Sequence, residues 1–141
     1  MAGTFKIVVV DGQGGKLGAQ LVTRLTEVFA EHEVTAIGTN TIATSSMLKA
    51  GAKNAATGEN AVIVACRTAD IIVGPIGIVI ADSLLGEITP KMAVAVGQSL
   101  AKKILIPINR CDNIVIGAGN MPMADLIDKA IAEIEKIIHG N

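Results

Sequence analysis

The sequence predicts an α/β fold: three layers around a doubly wound, mainly parallel sheet of about five strands, forming a single domain over residues 1–141. Half of the residues are hydrophobic but only two are aromatic, so the core must consist of Ala, Val, Ile and Leu. Short β-branched runs alternate with amphipathic stretches, a pattern typical of a parallel sheet covered by helices on both faces. The 15 glycines suit the loops between these segments.

Strands and helices alternate along the predicted chain. Strands are predicted at 5–10, 34–38, 54–56, 70–74 and 104–108, with a short edge strand at 113–117. Helices are predicted at 17–29, 41–50, 90–101 and 123–139, with Asn40 or Thr41 capping the second and Thr89-Pro90 opening the third. The apolar run 61–66 fits a buried strand or a buried helix, and a helix is favoured because parallel strands need a crossover. The strand order stays open between 3-2-1-4-5 and 2-1-3-4-5.

The first strand runs directly into a glycine loop, the most informative segment for function. A strand that turns through glycines into a helix brings bare backbone N–H groups and the positive end of the helix dipole to one point. Such a point binds anions, and phosphate is the usual one. We therefore predict a nucleotide or dinucleotide site formed by Asp11, Gly12, Gln13, Gly14, Gly15, Lys16, Leu17 and Gly18, with Thr39, Asn40, Gly74 and Pro75 from later strand ends.

The glycine spacing departs from the strict dinucleotide fingerprint. In the pattern G-x-G-x-x-G, Gly12 and Gly14 fit but Leu17 stands at the third position. The variant Gly12-x-x-Gly15-x-x-Gly18 is similar to the loops of dihydrodipicolinate reductases and sugar-nucleotide epimerases, whose Rossmann domains hold NAD(P). This resemblance implies a Rossmann-like fold with NAD(P) or another nucleotide as cofactor. The Walker pattern of ATPases is absent, because no Ser or Thr follows the glycine-lysine pair.

Two features weaken the comparison with NAD(P) proteins. Asp11 precedes the first glycine, where a carboxylate repels pyrophosphate unless it accepts a ligand hydroxyl or holds Mg²⁺. The second strand ends in Gly38-Thr39-Asn40, without the acid that binds a ribose 2′-hydroxyl in dinucleotide sites. The alternative is a glycine-rich turn that only packs the first helix on the sheet.

Polar or glycine-rich residues follow every predicted strand, and the carboxyl ends of parallel strands share one edge of the sheet. We therefore predict a composite crevice there, with substrate-binding residues Thr57, Glu59, Asn60, Asn109 and Arg110. Arg110 is the candidate for gripping an anionic group through its guanidinium, against the alternative of a surface arginine. Glu59 is interpreted as a base or, preferably, as a carboxylate at a helix N-terminus.

Other polar residues receive structural interpretations. A group that follows the apolar segment 74–80 forms either a lid or a helix cap, with the cap favoured: Asp82, Ser83, Glu87 and Lys91. His32 and His139 lie near predicted helix ends and are expected to be solvated. Neither histidine has the spacing of a metal ligand, so no metal site is predicted.

Composition and charge exclude several classes of partner. The net charge is −1 and stacking aromatics are absent, so no nucleic-acid partner is predicted. The longest charge-free apolar run, 71–81, is shorter than the roughly 20 residues that span a bilayer, so no membrane partner is predicted. No signal-peptide pattern is present and the two cysteines form no CxxC pair, which predicts a cytoplasmic protein. The apolar content favours a homo-oligomer that binds a small-molecule ligand.

Stretches along nearly the whole chain carry a second resemblance. They are Asp11-Gly12-Gln13-Gly14-Gly15, Gly38-Thr39-Asn40, Ala43-Thr44-Ser45, Ala56-Thr57-Gly58-Glu59-Asn60, Gly74-Pro75-Ile76-Gly77-Ile78, Leu85-Gly86-Glu87-Ile88-Thr89-Pro90-Lys91 and Pro107-Ile108-Asn109-Arg110-Cys111. In these the chain resembles a small family of bacterial proteins classed only as a domain of unknown function. The resemblance implies membership and a cytoplasmic bacterial origin, but it supplies no activity and no catalytic residue.

Three functions stay open at this point. The first is a nucleotide- or dinucleotide-binding Rossmann protein, and the second is an enzyme or sensor for a small phosphorylated or carboxylated metabolite. The third is a non-catalytic oligomeric regulatory subunit whose glycine loop is structural. No acid–base pair is visible in the sequence, so it does not decide whether the chain is an enzyme.

Overall fold

The computed structural model describes residues 3–108 and 112–140, and it has the α/β architecture that the sequence predicts. The strands are β1 (Lys6–Asp11), β2 (Glu33–Gly38), β3 (Asn54–Thr57), β4 (Ile71–Pro75) and β5 (Lys102–Ile106). The helices are α1 (Lys16–Val28), α2 (Thr41–Lys49), α3 (Glu59–Thr68), α4 (Pro90–Gln98) and α5 (Met123–His139). A 3₁₀ turn covers Ile76–Val79 between β4 and α4.

The five strands form one sheet in the order β3-β2-β1-β4-β5, and every neighbouring pair is parallel. This order selects the first of the two predicted topologies. The direction of winding reverses between β1 and β4, and in open α/β sheets ligands bind beyond the strand ends at such a reversal. The register places Asp11 at the end of β1 beside Gly38 at the end of β2.

Two apolar layers bury the two faces of the sheet. Alternate residues of β1 point to opposite faces, so Ile7 and Val9 join one layer while Val8 and Val10 join the other. The first layer takes its remaining side chains mainly from α1 and α5, and the second mainly from α3, α4 and the segment after β4. The central strands are covered on both faces, which explains their continuous apolar sequences.

The structure decides the ambiguous segments. Residues 61–66 lie in α3, so the predicted helix is confirmed. Asn40 caps α2 by accepting the Ala43 N–H at 2.8 Å, and Thr89 caps α4 by accepting the Met92 N–H at 3.2 Å. The edge strand at 113–117 is wrong, because these residues form turns and irregular backbone. Helix α4 ends at Gln98, three residues before the predicted 101, and β5 begins and ends two residues early.

The interpretation of His32 as a solvated residue is also wrong. Its side chain is 8% exposed, and its ring makes edge contacts with Phe5 and Phe29 at centroid distances of 5.5 and 6.5 Å. Its Nδ1 accepts the backbone N–H of Phe5 at 3.0 Å. His32 therefore links the start of β1 to the end of α1. His139, in contrast, is 55% exposed, as predicted. Among the residues described, no helix has the length and apolarity to cross a membrane.

Candidate functional site

A buried carboxylate lies beneath the glycine loop. Asp11 is 6% exposed, and its two oxygens accept the N–H groups of Gly12 at 2.8 Å and Gly18 at 2.7 Å. Gly18 is in the first turn of α1, so Asp11 satisfies one of the N–H groups that the helix itself leaves unbonded. The chain thus supplies its own anion at this helix start.

A second carboxylate lies on the outer side of the same loop. Oε1 of Glu87 accepts the Gln13 N–H at 2.8 Å, the Thr39 hydroxyl at 2.6 Å and the Asn40 side-chain amide at 2.9 Å. The Asn40 amide also donates to the Gln13 carbonyl at 2.9 Å. The orientation of the Asn40 side chain is fixed, because its Oδ1 accepts the Ala43 N–H and so caps α2. Donors from the ends of β1 and β2 and the start of α2 therefore converge on one oxygen.

Glu87 reaches the loop because the segment 76–88, which we call the strap, folds over the reversal point of the sheet. Ile78, Leu84 and Ile88 are at most 2% exposed and belong to the second apolar layer. Leu84 lies over the glycine loop, with its Cδ1 3.0 Å from the position of a β-carbon added to Gly12. Apolar side chains, rather than open space, thus cover the centre of the predicted crevice.

The backbone of the strap is unusual for its residue types. Asp82, Leu84 and Leu85 have φ angles of 66°, 55° and 57°, and Gly86 follows at 89°. Residues other than Gly, Asn and Asp rarely adopt this left-handed conformation, which costs them roughly 1–2 kcal/mol each, so Leu84 and Leu85 are the unusual positions. The turn is held by backbone hydrogen bonds such as Asp82 N–H to Ile88 O at 2.7 Å, and by the Ser83 hydroxyl, which donates to the Gly77 carbonyl.

The four glycines of the loop have separate roles. A β-carbon on Gly12 would lie 2.5 Å from Thr39 Oγ1, and one on Gly18 would lie 2.5 Å from Met47 Sδ. Gly15 has a φ of 74°, and a β-carbon there would lie 2.8 Å from the backbone of Ala43 in α2. Gly14 differs, since a β-carbon there would meet nothing within 4 Å. Three glycines thus allow close internal packing, and one opens the loop to the outside.

The burial and hydrogen bonds of the two carboxylates shift their pKa values in opposite directions. Desolvation raises the pKa of Asp11 above its ordinary value, against the lowering effect of the Gly18 and Gly12 N–H groups and with a small addition from the charge of Glu87. For Glu87, desolvation also acts upward, but the combined donors Gln13, Thr39 and Asn40 prevail and leave its pKa lowered. Glu87 is therefore the ionised group at neutral pH that faces outward from the loop.

Three of the predicted substrate residues, Thr57, Glu59 and Asn60, lie where β3 ends and α3 begins. Glu59, in the first turn of α3, accepts the Thr89 hydroxyl at 2.6 Å, which joins the N-termini of α3 and α4. The Thr57 hydroxyl lies 2.7 Å from that of Thr44 in α2, and Asn60 is exposed beside Glu59. Asn109 and Arg110 lie outside the residues that the structure describes, as does Cys111.

Gly74 and Pro75 lie inside β4 and are buried. A β-carbon on Gly74 would lie 2.2 Å from the carbonyl oxygen of Val10, so this glycine permits close approach of β4 to β1. The structure thus brings Asp11, Gln13, Thr39 and Asn40 together and places Gly74 and Pro75 beneath the surface. In the ranges 3–108 and 112–140, no group of three or more His, Cys, Asp or Glu side chains could hold a metal ion.

The main residue that the sequence analysis placed differently is Glu87. The interpretation of Glu87 as part of a helix cap is wrong, because Thr89 caps α4 and Glu87 accepts the Gln13 N–H of the loop. A weak signal was present, since the strap is a mainly apolar stretch in which Asp82 and Glu87 are the only acids. That composition indicates an acid with a specific partner, but it does not say which partner.

The comparisons with known proteins agree with the second resemblance found in the sequence. No curated protein matches the chain. Residues 6–139 match the family described as "Domain of unknown function (DUF3842)", which covers all five strands and all five helices. The chain therefore belongs to the DUF3842 family.

Proposed function

We propose that this protein binds the phosphate of a nucleotide or dinucleotide, of the NAD(P) type, at the loop formed by residues 12–18. The observation that carries the proposal is that the glycines of the loop differ in their surroundings and therefore in their structural roles. In dinucleotide sites one glycine permits the tight turn, a second lets the pyrophosphate approach the backbone, and a third permits close packing of helix on strand. The Gly15 N–H donates to the Gly12 carbonyl at 2.9 Å, which closes a tight turn over residues 12–15. Gly14 is open to the outside, and a β-carbon on Gly18 would lie 2.8 Å from Asp11 Cβ in β1, so these two glycines fit the second and third roles.

The hydrogen bonds of the loop support the same proposal. Asp11 takes the Gly18 N–H and Glu87 takes the Gln13 N–H. Among the residues described, none accepts a hydrogen bond from the N–H groups of Gly14, Lys16 or Leu17. These three groups lie at the start of α1, where the helix dipole favours a negative charge. The exposed side chain of Lys16 adds a cation beside them.

The position of the loop in the fold also fits a nucleotide. It follows β1, the central strand, and adjoins the reversal point between β1 and β4. Thr39 and Asn40 follow β2, where the ribose of a dinucleotide lies in doubly wound folds. The chain would therefore hold a phosphate over α1 and a ribose over the end of β2.

Calorimetry and thermal unfolding with NAD⁺, NADP⁺, ADP and inorganic pyrophosphate test the proposal. We expect the ligand that binds to raise the unfolding temperature with increasing concentration, because a ligand of the native state stabilises it by mass action. Gly14→Asp is the diagnostic variant, since its side chain has room and its charge repels phosphate. Gly15→Asp would instead disturb the fold, because of the φ of 74° and the nearby Ala43 backbone.

Gly97→Asp is the matched control, because it adds the same charge at a glycine of α4 that also has open space around it. The proposal expects Gly14→Asp to lose the ligand-induced shift and Gly97→Asp to keep it. A folded Gly14→Asp protein with an unchanged shift would overturn the phosphate site. A wild-type protein that responds to none of the four ligands would favour the non-catalytic subunit with a structural glycine loop.

A further inference from the structure

We infer that Glu87 is the ribose-recognition residue of this site and that it selects a dinucleotide with a free 2′-hydroxyl over one with a 2′-phosphate. The inference rests on the proposed function and adds cofactor preference to it. The end of β2 in this chain differs from the corresponding strand end in most dinucleotide sites. Strand β2 ends in Gly38-Thr39-Asn40, whereas an acid normally follows this strand and accepts a hydrogen bond from the ribose.

The structure supplies an acid at this place from a distant part of the chain. The strap carries Glu87 to the end of β2, where its Oε1 lies 2.6 Å from Thr39 Oγ1 and 2.9 Å from Asn40 Nδ2. These residues are 48 and 47 positions away in the sequence. The carboxylate thus occupies the region that an acid at the end of β2 would occupy, although it arrives from the opposite side of the reversal point.

The two oxygens of this carboxylate differ in the hydrogen bonds that they accept. All three hydrogen bonds that Glu87 accepts from described residues go to Oε1, and none of them goes to Oε2. An ionised carboxylate accepts hydrogen bonds and donates none. Oε2 therefore suits the hydroxyl donors of a ribose and disfavours a phosphate through charge repulsion.

The surrounding residues point to the same preference. Proteins that take a 2′-phosphate place an arginine near the end of this strand. From Gly38 to Ser46 the chain contains neither Arg nor Lys, and its polar groups there are neutral. A 2′-phosphate would therefore meet the negative charge of Glu87 without a cation from this segment.

In a competing interpretation, the Glu87 carboxylate only occupies the place of a ligand phosphate at the loop and must move away from the loop before any ligand binds. The two interpretations predict different effects of the same substitution. If Glu87 is a substitute anion, its neutralisation strengthens the binding of every phosphate compound equally. If it recognises ribose, its neutralisation weakens NAD⁺, favours NADP⁺ and has little effect on inorganic pyrophosphate.

The experiment measures dissociation constants of NAD⁺, NADP⁺ and pyrophosphate by calorimetry for the wild type, Glu87→Gln and Glu87→Lys. We expect the wild type to prefer NAD⁺, and Glu87→Gln to weaken NAD⁺ about tenfold or more through loss of a charged acceptor. Glu87→Lys should reverse the preference toward NADP⁺. Glu27→Gln is the matched control, since it removes one charge from an exposed residue near the far end of α1 and should change nothing.

The outcomes separate the two proposals. A wild type that binds NAD⁺ and NADP⁺ equally, or a Glu87→Gln variant that strengthens all three ligands alike, overturns the ribose role and leaves the phosphate site in place. A wild type that binds none of these three ligands, and does not bind ADP either, overturns the proposed function together with this inference. Glutamine keeps an acceptor oxygen toward the Gln13 N–H and Thr39 hydroxyl, so circular dichroism of Glu87→Gln should match that of the wild type.

Discussion

One carboxylate lies on each side of the glycine loop. The lower one reaches its partners through local sequence, and the upper one reaches them from a distant segment of the chain. Beneath the loop, Asp11 is adjacent in sequence to the glycines and accepts its hydrogen bonds within seven residues. Above the loop, Glu87 arrives from the strap, 74 residues after its partner Gln13. The lower side depends on local chain geometry, whereas the upper side depends on tertiary packing of a segment with a left-handed backbone.

This difference gives the lower carboxylate a structural role, whereas the recognition role proposed above belongs to the upper carboxylate. Asp11 is buried, and both of its oxygens are engaged with backbone N–H groups. Glu87 is only partly buried and keeps one oxygen outside the hydrogen bonds described. Substitution of the lower carboxylate should therefore reduce stability, and substitution of the upper carboxylate should change binding more than stability.

The largest expected effect is on the packing that holds the strap. Leu84→Ala should destabilise the protein by about 2–5 kcal/mol, because a fully buried leucine is truncated over the glycine loop. Urea unfolding measures the loss, and Leu100→Ala is the control, since Leu100 is fully exposed and should change stability by about 0.5 kcal/mol or less. Equal stability of the two variants would show that Leu84 does not hold the strap.

The next effect concerns the lower carboxylate. Asp11→Asn keeps the shape but offers one acceptor oxygen where two backbone N–H groups need one each. A buried donor left without a partner costs about 1–3 kcal/mol, so we expect a loss of that size in the free energy of unfolding. A variant as stable as the wild type would contradict the role of Asp11 as the acceptor beneath the loop.

The upper carboxylate should give a pH-dependent difference. The pKa of Glu87 is lowered from 4.5 in the folded protein, so its stabilising effect is complete above that value and is lost as the pH falls through the folded pKa. We expect Glu87→Gln to be less stable than the wild type at pH 7, with a gap that narrows below pH 4.5. Urea unfolding between pH 7 and about pH 3 measures this gap, and a gap that widens in acid would contradict the hydrogen bonds to Oε1.

The smallest expected effect is an increase in stability rather than a loss. Leu85 is 95% exposed at a φ of 57°, so its side chain contributes strain and little packing. Leu85→Gly should stabilise the protein by about 0.5–1 kcal/mol, because relief of the left-handed strain exceeds the entropy cost of glycine. Leu100→Gly should instead destabilise it by a similar amount, since no positive φ at Leu100 offsets that entropy cost. Thermal unfolding of both variants measures the contrast.

The sequence predicts the fold well because the relevant signals are periodic and local. The apolar stripe of α5 and the β-branched runs of β1 and β4 give the correct elements. The boundaries of α4 and β5 differ from the predicted ones by two or three residues, because residues 99–101 form a bend with little sequence signal. Asp11 and the glycines were found because they are contiguous in the chain.

Glu87 could not be assigned in the same way. Its position depends on a turn through Leu84 and Leu85, and leucine carries no signal for a left-handed backbone. His32 was misplaced for a related reason, because its partner Phe5 lies 27 residues away. Both contacts arise from packing between distant segments, which periodicity within a window does not report.

The C-terminal end of the strap is held by side-chain hydrogen bonds to two other parts of the sheet edge. Glu87 bonds to the β1 and β2 side, and two residues later Thr89 bonds to Glu59 on the α3 side. Opening of this end of the strap would break these hydrogen bonds together. For the ligand of the proposed site, which would contact Glu87, these bonds would affect the residence time more than the rate of association, and stopped-flow release measurements would report that effect.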